Sequence, residues 1–268
     1  MNPFENKVIV VTGGSDGIGK ALVESFLQMG AKVATCGRNY DKLYPLQSAY
    51  SGKPLMIYAA DISKEQEAKN FIDSVIKNFV TIDILINNAG ISMRATVEDV
   101  TLEALRKVMD INFWGTVYCT KFSLPYIIEN KGTIVGVSSI AGYRGLPGRS
   151  GYSASKFAVN GWLEALRTEL LDSGTNVMWV CPGFTASNIR NAALNNKGES
   201  FGETSMDEGK MMSASECAIH IIKAIEQRKR TLVLTFTGKR AVFMNKYFPK
   251  LADRLTRNFF YKNGILAK

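Results

Sequence analysis

Short apolar, β-branched runs recur along the 268-residue chain, with helix-length amphipathic stretches between them. The runs are Val8–Val11, Lys32–Cys36, Leu55–Tyr58, Ile82–Ile86, Thr133–Val137, Val177–Cys181 and Thr231–Thr235. A strand that is apolar without alternation is buried on both faces, as in a parallel sheet covered by helices on each side. The pattern therefore predicts an α/β fold: a single-domain, doubly wound, Rossmann-like three-layer sandwich around a parallel sheet of about seven strands. No Pro/Gly/Ser tract divides the chain into halves, so residues 1–238 read as one unit. The segment 150–171 reads as one long helix.

Two stretches break the rhythm. Residues 184–212 are rich in Asn, Ser, Gly and Glu with little periodicity, and read as a mobile segment or lid or as an ordinary surface excursion. Residues 239–268 read as a basic, amphipathic helical extension. There Met244, Tyr247, Phe248, Leu251 and Leu255 follow helical spacing, while Lys246, Lys250, Arg254 and Arg257 line a neighbouring face. Pro249 is predicted to split this extension into two short helices.

Composition changes this picture little: 46% hydrophobic and 21% charged residues belong to a globular protein. Cys36, Cys119, Cys181 and Cys217 form no C-x-x-C pair and His220 is the lone histidine. A His-based triad is therefore excluded, no metal site is expected, and the cysteines read as small buried hydrophobes. Glu5 and the short run Val8–Val11, cut off by Thr12-Gly13, do not make a signal peptide, so a cytoplasmic location is expected.

The net charge of +9 is a property of the tail: residues 239–268 hold eight Lys/Arg and one acid, Asp253, leaving 25 basic and 23 acidic residues before them. A nucleic-acid partner is not expected from so local a charge. The tail itself has three readings: packing helices with a solvated face, a partner-binding surface, or a helix lying peripherally on a membrane surface.

Directly after the first strand comes Thr12-Gly13-Gly14-Ser15-Asp16-Gly17-Ile18-Gly19, followed by a helix carrying Leu22, Val23, Phe26 and Leu27. Glycines in such a turn let backbone N–H groups approach a pyrophosphate at the positive end of the helix. The spacing is G-x-x-x-G-x-G, neither the commoner G-x-G-x-x-G nor a P-loop. At the end of the second strand stands Arg38, where an NAD-selective site would place a carboxylate. A guanidinium there suits a ribose 2′-phosphate, which favours NADP(H). Asp61, followed by Ile62, ends the third strand and is suited either to an adenine amine or to an N-cap.

Tyr152 and Lys156 are four apart on the predicted long helix, so their side chains share a face. A nearby ammonium would lower the phenol's pKa and poise it to exchange a proton with a substrate oxygen. Upstream, the strand Thr133–Val137 runs into Ser138-Ser139, placing hydroxyls at the carboxyl end of the sheet.

These motifs, in this order over residues 7–235, resemble the short-chain dehydrogenase/reductase family. Thr12–Gly19 is similar to its cofactor loop, Asn87-Asn88-Ala89-Gly90 to its motif after the fourth strand, and Asn112, Ser139, Tyr152 and Lys156 to its catalytic tetrad. Pro182-Gly183 resembles the turn beside the nicotinamide, with Ser187 where the family usually has threonine. The resemblance implies hydride transfer between nicotinamide and a carbonyl, with Tyr152 supplying the proton and Ser139 orienting the oxygen. Lys156 would hold the nicotinamide ribose and Asn112 would anchor a water. A homodimer or homotetramer is expected. The alternative is an NADP(H)-binding sensor without chemistry.

Met93, Arg94, Tyr143, Leu146 and Phe184 are the expected substrate walls. Their character predicts a bulky or lipid-like, mainly apolar ketone or the matching secondary alcohol.

Overall fold

The protein is described here from a computed structural model covering residues 2–183, 185, 189, 192–202 and 211–266. Seven strands form one parallel sheet: β1 (Val8–Thr12), β2 (Lys32–Gly37), β3 (Leu55–Ala59), β4 (Ile84–Asn87), β5 (Thr133–Val137), β6 (Asn176–Cys181) and β7 (Thr231–Val233). Their order is β3-β2-β1-β4-β5-β6-β7. The connecting helices are α1 (Gly17–Gln28), α2 (Tyr40–Ala49), α3 (Glu65–Phe79), α4 (Leu102–Met109), α5 (Gly115–Glu129), α6 (Ser150–Glu169) and α7 (Ala214–Glu226).

The absence of polar alternation in the strands has the predicted cause. Ile9 and Val11 of β1 face a core shared with Phe26 of α1 and Ile221 of α7. Val8 and Val10 face the opposite core, with Phe71 of α3, Ile127 of α5 and Leu163 of α6. All four cysteines are buried and unpaired. The sheet is thus the middle of three layers, and its order reverses between β1 and β4. That reversal leaves a crevice at the carboxyl ends of these two strands, where open α/β sheets receive ligands.

Boundaries move where side chains compete for the backbone. The apolar run starting at Ile82 enters the sheet only at Ile84. Just before it, the Asp83 carboxylate accepts the Val8 N–H at 2.9 Å and pairs with Lys7 Nζ at 2.8 Å. β7 stops short of Thr235, which takes a φ of +63° and caps the next helix, α8 (Phe236–Tyr247), by accepting the Gly238 N–H at 3.1 Å. Between α4 and α5 the chain makes a wide π turn over Asp110–Trp114, which buries Asn112.

Pro249 opens α9 (Pro249–Phe260) at its first turn, and a hairpin of β8 (Tyr261–Lys262) and β9 (Ile265–Leu266) follows. This extension is fastened to the segment preceding α6. Arg144 donates to Asn245 Oδ1 at 2.8 Å and pairs with Asp253 at 2.6 Å, Asn245 donates to the Tyr143 carbonyl, and Leu266 lies against Gly148. Among the described residues no helix is long and apolar enough to cross a membrane.

Candidate active site

The glycine loop sits at the carboxyl end of β1. Gly13 has a φ of +73°, and a Cβ there would lie 2.9 Å from the Ala89 Cα. Asp16 caps α1 by accepting the Gly17 N–H at 2.6 Å, and the first turn of α1 carries no carboxylate of its own. The loop is latched to the end of β4. Thr12 Oγ1 accepts the N–H groups of Asn88 and Ala89, both at 3.0 Å, and Asn88 Nδ2 donates to the carbonyls of Thr12 at 2.9 Å and Gly13 at 3.2 Å. Asn88 therefore spends its amide on shaping the loop, and Gly19 packs beside the same amide.

At the end of β2 the Ser15 hydroxyl stands over Gly37, and Arg38 beside it is exposed. Asp61 Oδ1 accepts both the N–H and the hydroxyl of Ser63, at 3.0 and 2.7 Å. The N-cap alternative for Asp61 is not realised: the residue preceding α3 is Lys64, and Asp61 shapes the turn before it. Ile62 is buried against Gly115.

Asn112, Ser139, Tyr152 and Lys156 come together beside β4 and β5. Asn112 is fully committed: Oδ1 accepts the Ile91 N–H at 2.8 Å, while Nδ2 donates to the Ile91 carbonyl and to Ser155 Oγ, each at 2.9 Å. A Cβ at Gly90 would come within 3.1 Å of Asn112 Oδ1 and 3.4 Å of Lys156 Nζ, so a side chain there would crowd both. Lys156 Nζ donates to the Val137 carbonyl at 2.8 Å and sits 5.7 Å from the centre of the Tyr152 ring. Ser139 accepts the Ala141 N–H at 3.2 Å, and its side chain lies near enough to the Tyr152 phenol to lower its pKa.

The electrostatics differ from the sequence expectation in one respect. Burial raises the Tyr152 phenol above its usual value, and the nearby Ser139 side chain and the charge of Arg149 offset this only in part. The ammonium does not reverse the shift. It is directed at the Val137 carbonyl, and burial brings its own pKa down to about 8. A buried phenol and a buried amine are each driven toward the neutral form. Cys181, at the end of β6, is a neighbour that motif reading did not single out. Its thiol lies near Ser138 and Lys156, and burial holds its pKa at about 12.

On the far side of Tyr152, Met93, Ala141, Leu194 and the partly buried Leu146 make a small apolar cluster around the ring. Residues 192–202 dock here through bonds of Arg94 N to the Leu194 carbonyl, 2.7 Å, and Leu194 N to the Ser92 carbonyl, 2.9 Å. The Arg94 guanidinium covers the Phe201 ring at 4.8 Å. Tyr143, an expected wall, turns its hydroxyl to the sheet, accepting from Trp179 Nε1 at 2.9 Å. Gly183, after Pro182, abuts Thr235. Phe184 and Ser187 lie outside the described residues.

A sheet reversing at β1 and β4, a glycine loop at that point, and hydroxyl, phenol and amine groups gathered beside it define a nucleotide-dependent oxidoreductase class. Residues 7–198 match the family model described as short chain dehydrogenase, and the chain belongs to that family, whose members use nicotinamide dinucleotides. It is similar to mouse "Dehydrogenase/reductase SDR family member 7B", with 34% identity over 94% of this chain and 80% of the mouse protein. In fold it is similar to a short-chain dehydrogenase/reductase from Burkholderia phymatum in complex with NAD (TM-score 0.83, 21% identity, 94% and 96% of the two chains). It is also similar to an alcohol dehydrogenase from Thermococcus sibiricus complexed with 5-hydroxy-NADP (TM-score 0.75, 22% identity, 85% and 95%).

Proposed function

We propose that the protein is an NADP(H)-dependent reductase that converts a bulky, mainly apolar ketone to its secondary alcohol, with Tyr152 as the proton donor. The observation that carries this reading is the Tyr152 phenol, buried, with Ser139 nearby and Lys156 Nζ 5.7 Å from its ring, in an apolar cluster. The residues fit a dinucleotide. Gly13, lacking a Cβ, lets the loop close against Ala89 at a φ of +73°, the exposed Arg38 follows β2, and Lys156 keeps two of its three donors for a ribose.

NADPH, when bound, would supply a hydride to the carbonyl carbon, and the electron pair of the C=O π bond would pass to the oxygen. Tyr152 Oη gives its proton to the oxygen, forming the O–H bond. Ser139 orients that oxygen and donates to it while charge develops. The phenol, raised by burial above its usual value, carries its proton at neutral pH and can donate it to the carbonyl oxygen. The Lys156 ammonium then compensates the phenolate left behind. Met93, Ala141, Leu146 and Leu194 supply the apolar wall, and Arg38 suits the 2′-phosphate that distinguishes NADP from NAD.

The test is NADPH oxidation across ketones of increasing chain length and ring number, with Tyr152→Phe in parallel. The expected result is turnover that grows with apolar bulk and falls by about a hundredfold or more in Tyr152→Phe, with NADPH binding retained. A near wild-type rate in Tyr152→Phe would overturn the assignment.

A further inference from the structure

The α8–α9 extension turns its large apolar side chains away from the domain. Leu251, Leu255 and Phe259 recur at i, i+4 and i+8 along α9. With Phe243, Tyr247 and Phe248 they are each between 41% and 56% exposed. Phe243 stands 4.8 Å from the Tyr247 ring and 6.3 Å from that of Phe248, so the aromatic part is one patch. The inward face of α9 buries only Ala252 and Phe260. An ordinary surface helix has the opposite arrangement.

Charge identifies what covers this face. The extension that carries it also carries Lys239, Arg240, Lys246, Lys250, Arg254, Arg257 and Lys262, and Asp253 is its single acid. That carboxylate is already paired with Arg144 at 2.6 Å. A second copy of the chain on this face would bring two sets of seven cations together with no acid to answer them. A nucleic acid would answer the cations but not the aliphatic stripe. An anionic lipid surface answers both: phosphates meet Lys and Arg, while Leu and Phe enter the acyl boundary.

We infer that the α8–α9 face docks on anionic membrane surfaces. The docked face is joined to the site. Arg144 bonds both helices, Leu266 lies on Gly148, and the segment held between them leads into Tyr152. A cavity of about 440 Å3 lies between this segment and α9, and one of its walls, Leu146, also packs in the cluster around Tyr152. Docking thus sets the apolar side of the site next to the lipid.

The test is cosedimentation of the full chain with vesicles of phosphatidylcholine alone or mixed with phosphatidylglycerol, at low and high salt. The variants are Lys250→Glu/Arg254→Glu and Leu251→Ser/Leu255→Ser, with unfolding curves as the control of folding. The expected result is binding to the mixed vesicles that is weakened by salt and falls at least about tenfold in either variant. Three outcomes would overturn the inference: no binding to anionic vesicles at low salt; binding that the serine variant leaves intact; or a serine variant that dissociates an oligomer in sedimentation velocity without changing vesicle binding.

Discussion

Lys156 Nζ donates to the backbone carbonyl of Val137 at 2.8 Å, tying the buried amine of α6 to the last residue of β5. The strand that carries Ser138 and Ser139 into the site therefore also fixes the height of the amine above the sheet. The same bond turns the amine toward the strand rather than squarely at the Tyr152 hydroxyl.

The pH dependence of reduction should report Lys156. Its pKa, brought down to about 8 by burial, means the ammonium is present below that pH and lost above it. Tyr152, shifted upward, keeps its proton across the same range. We expect kcat/KM for ketone reduction to be level near neutral pH and to fall above about pH 8. Lys156→Arg, permanently charged, should lose that alkaline limb whatever its absolute rate. A limb that persists unchanged in Lys156→Arg would assign the titration elsewhere.

The same group should trade stability for function. The folded pKa lies below the ordinary lysine value of 10.5, so between about pH 8 and 10.5 the unfolded chain binds more protons and stability rises with pH. Below pH 8 the full cost of burying the ammonium is present, on the order of 3 kcal/mol. Lys156→Met removes that cost but leaves the Val137 carbonyl without its donor, a loss of about 1 kcal/mol. Urea denaturation at pH 7 should show the variant more stable by about 1–2 kcal/mol while turnover disappears. Destabilisation would mean that the amine is better solvated than its 4% exposure suggests.

Asn112 is held by three hydrogen bonds to Ile91 and Ser155. Asn112→Ala would leave the part-buried backbone groups of Ile91 without their side-chain partner and should destabilise the fold by about 1–3 kcal/mol. Because Ile91 follows Gly90, the change should also loosen the backbone beside Lys156. Equilibrium unfolding and turnover measured on one preparation should fall together. A variant with unchanged stability would contradict the geometry.

Cofactor choice should turn on Arg38. Arg38→Ala is expected to raise the KM for NADPH by roughly ten- to a hundredfold, since a guanidinium–phosphate contact is charge-assisted. The KM for NADH should change little. Equal effects on both cofactors would show that Arg38 does not discriminate between them.

All seven strands were legible because a doubly covered sheet leaves its signature in each strand separately, as in Val8–Val11 and Thr133–Val137. The ends were less so. Asp83 and Thr235 shift boundaries through side-chain bonds and a positive φ that periodicity does not carry. Within the site, residue types could be named from their motifs, but their commitments could not. That Asn88 latches the glycine loop, that Tyr143 turns to Trp179, and that Ser155 receives Asn112 depend on contacts between distant parts of the chain. The direction of the Tyr152 shift was missed for a related reason: four-residue spacing announces a neighbour, but the depth of burial is set by Met93 and Leu194, far away in sequence. The tail's helices and their break at Pro249 could be read locally. Which way their apolar face points could not.

The latch between Thr12 and Asn88 makes two motifs, 76 positions apart, into a single stiff socket. The opposite wall is assembled from segment 143–149, residues 192–202 and the tail, joined by contacts such as Arg144 to Asp253. One side of the site is thus latched into a single piece, and the other is built from separate segments. Swapping the loop and tail together, as a cassette, should retarget the mouth without retuning the socket.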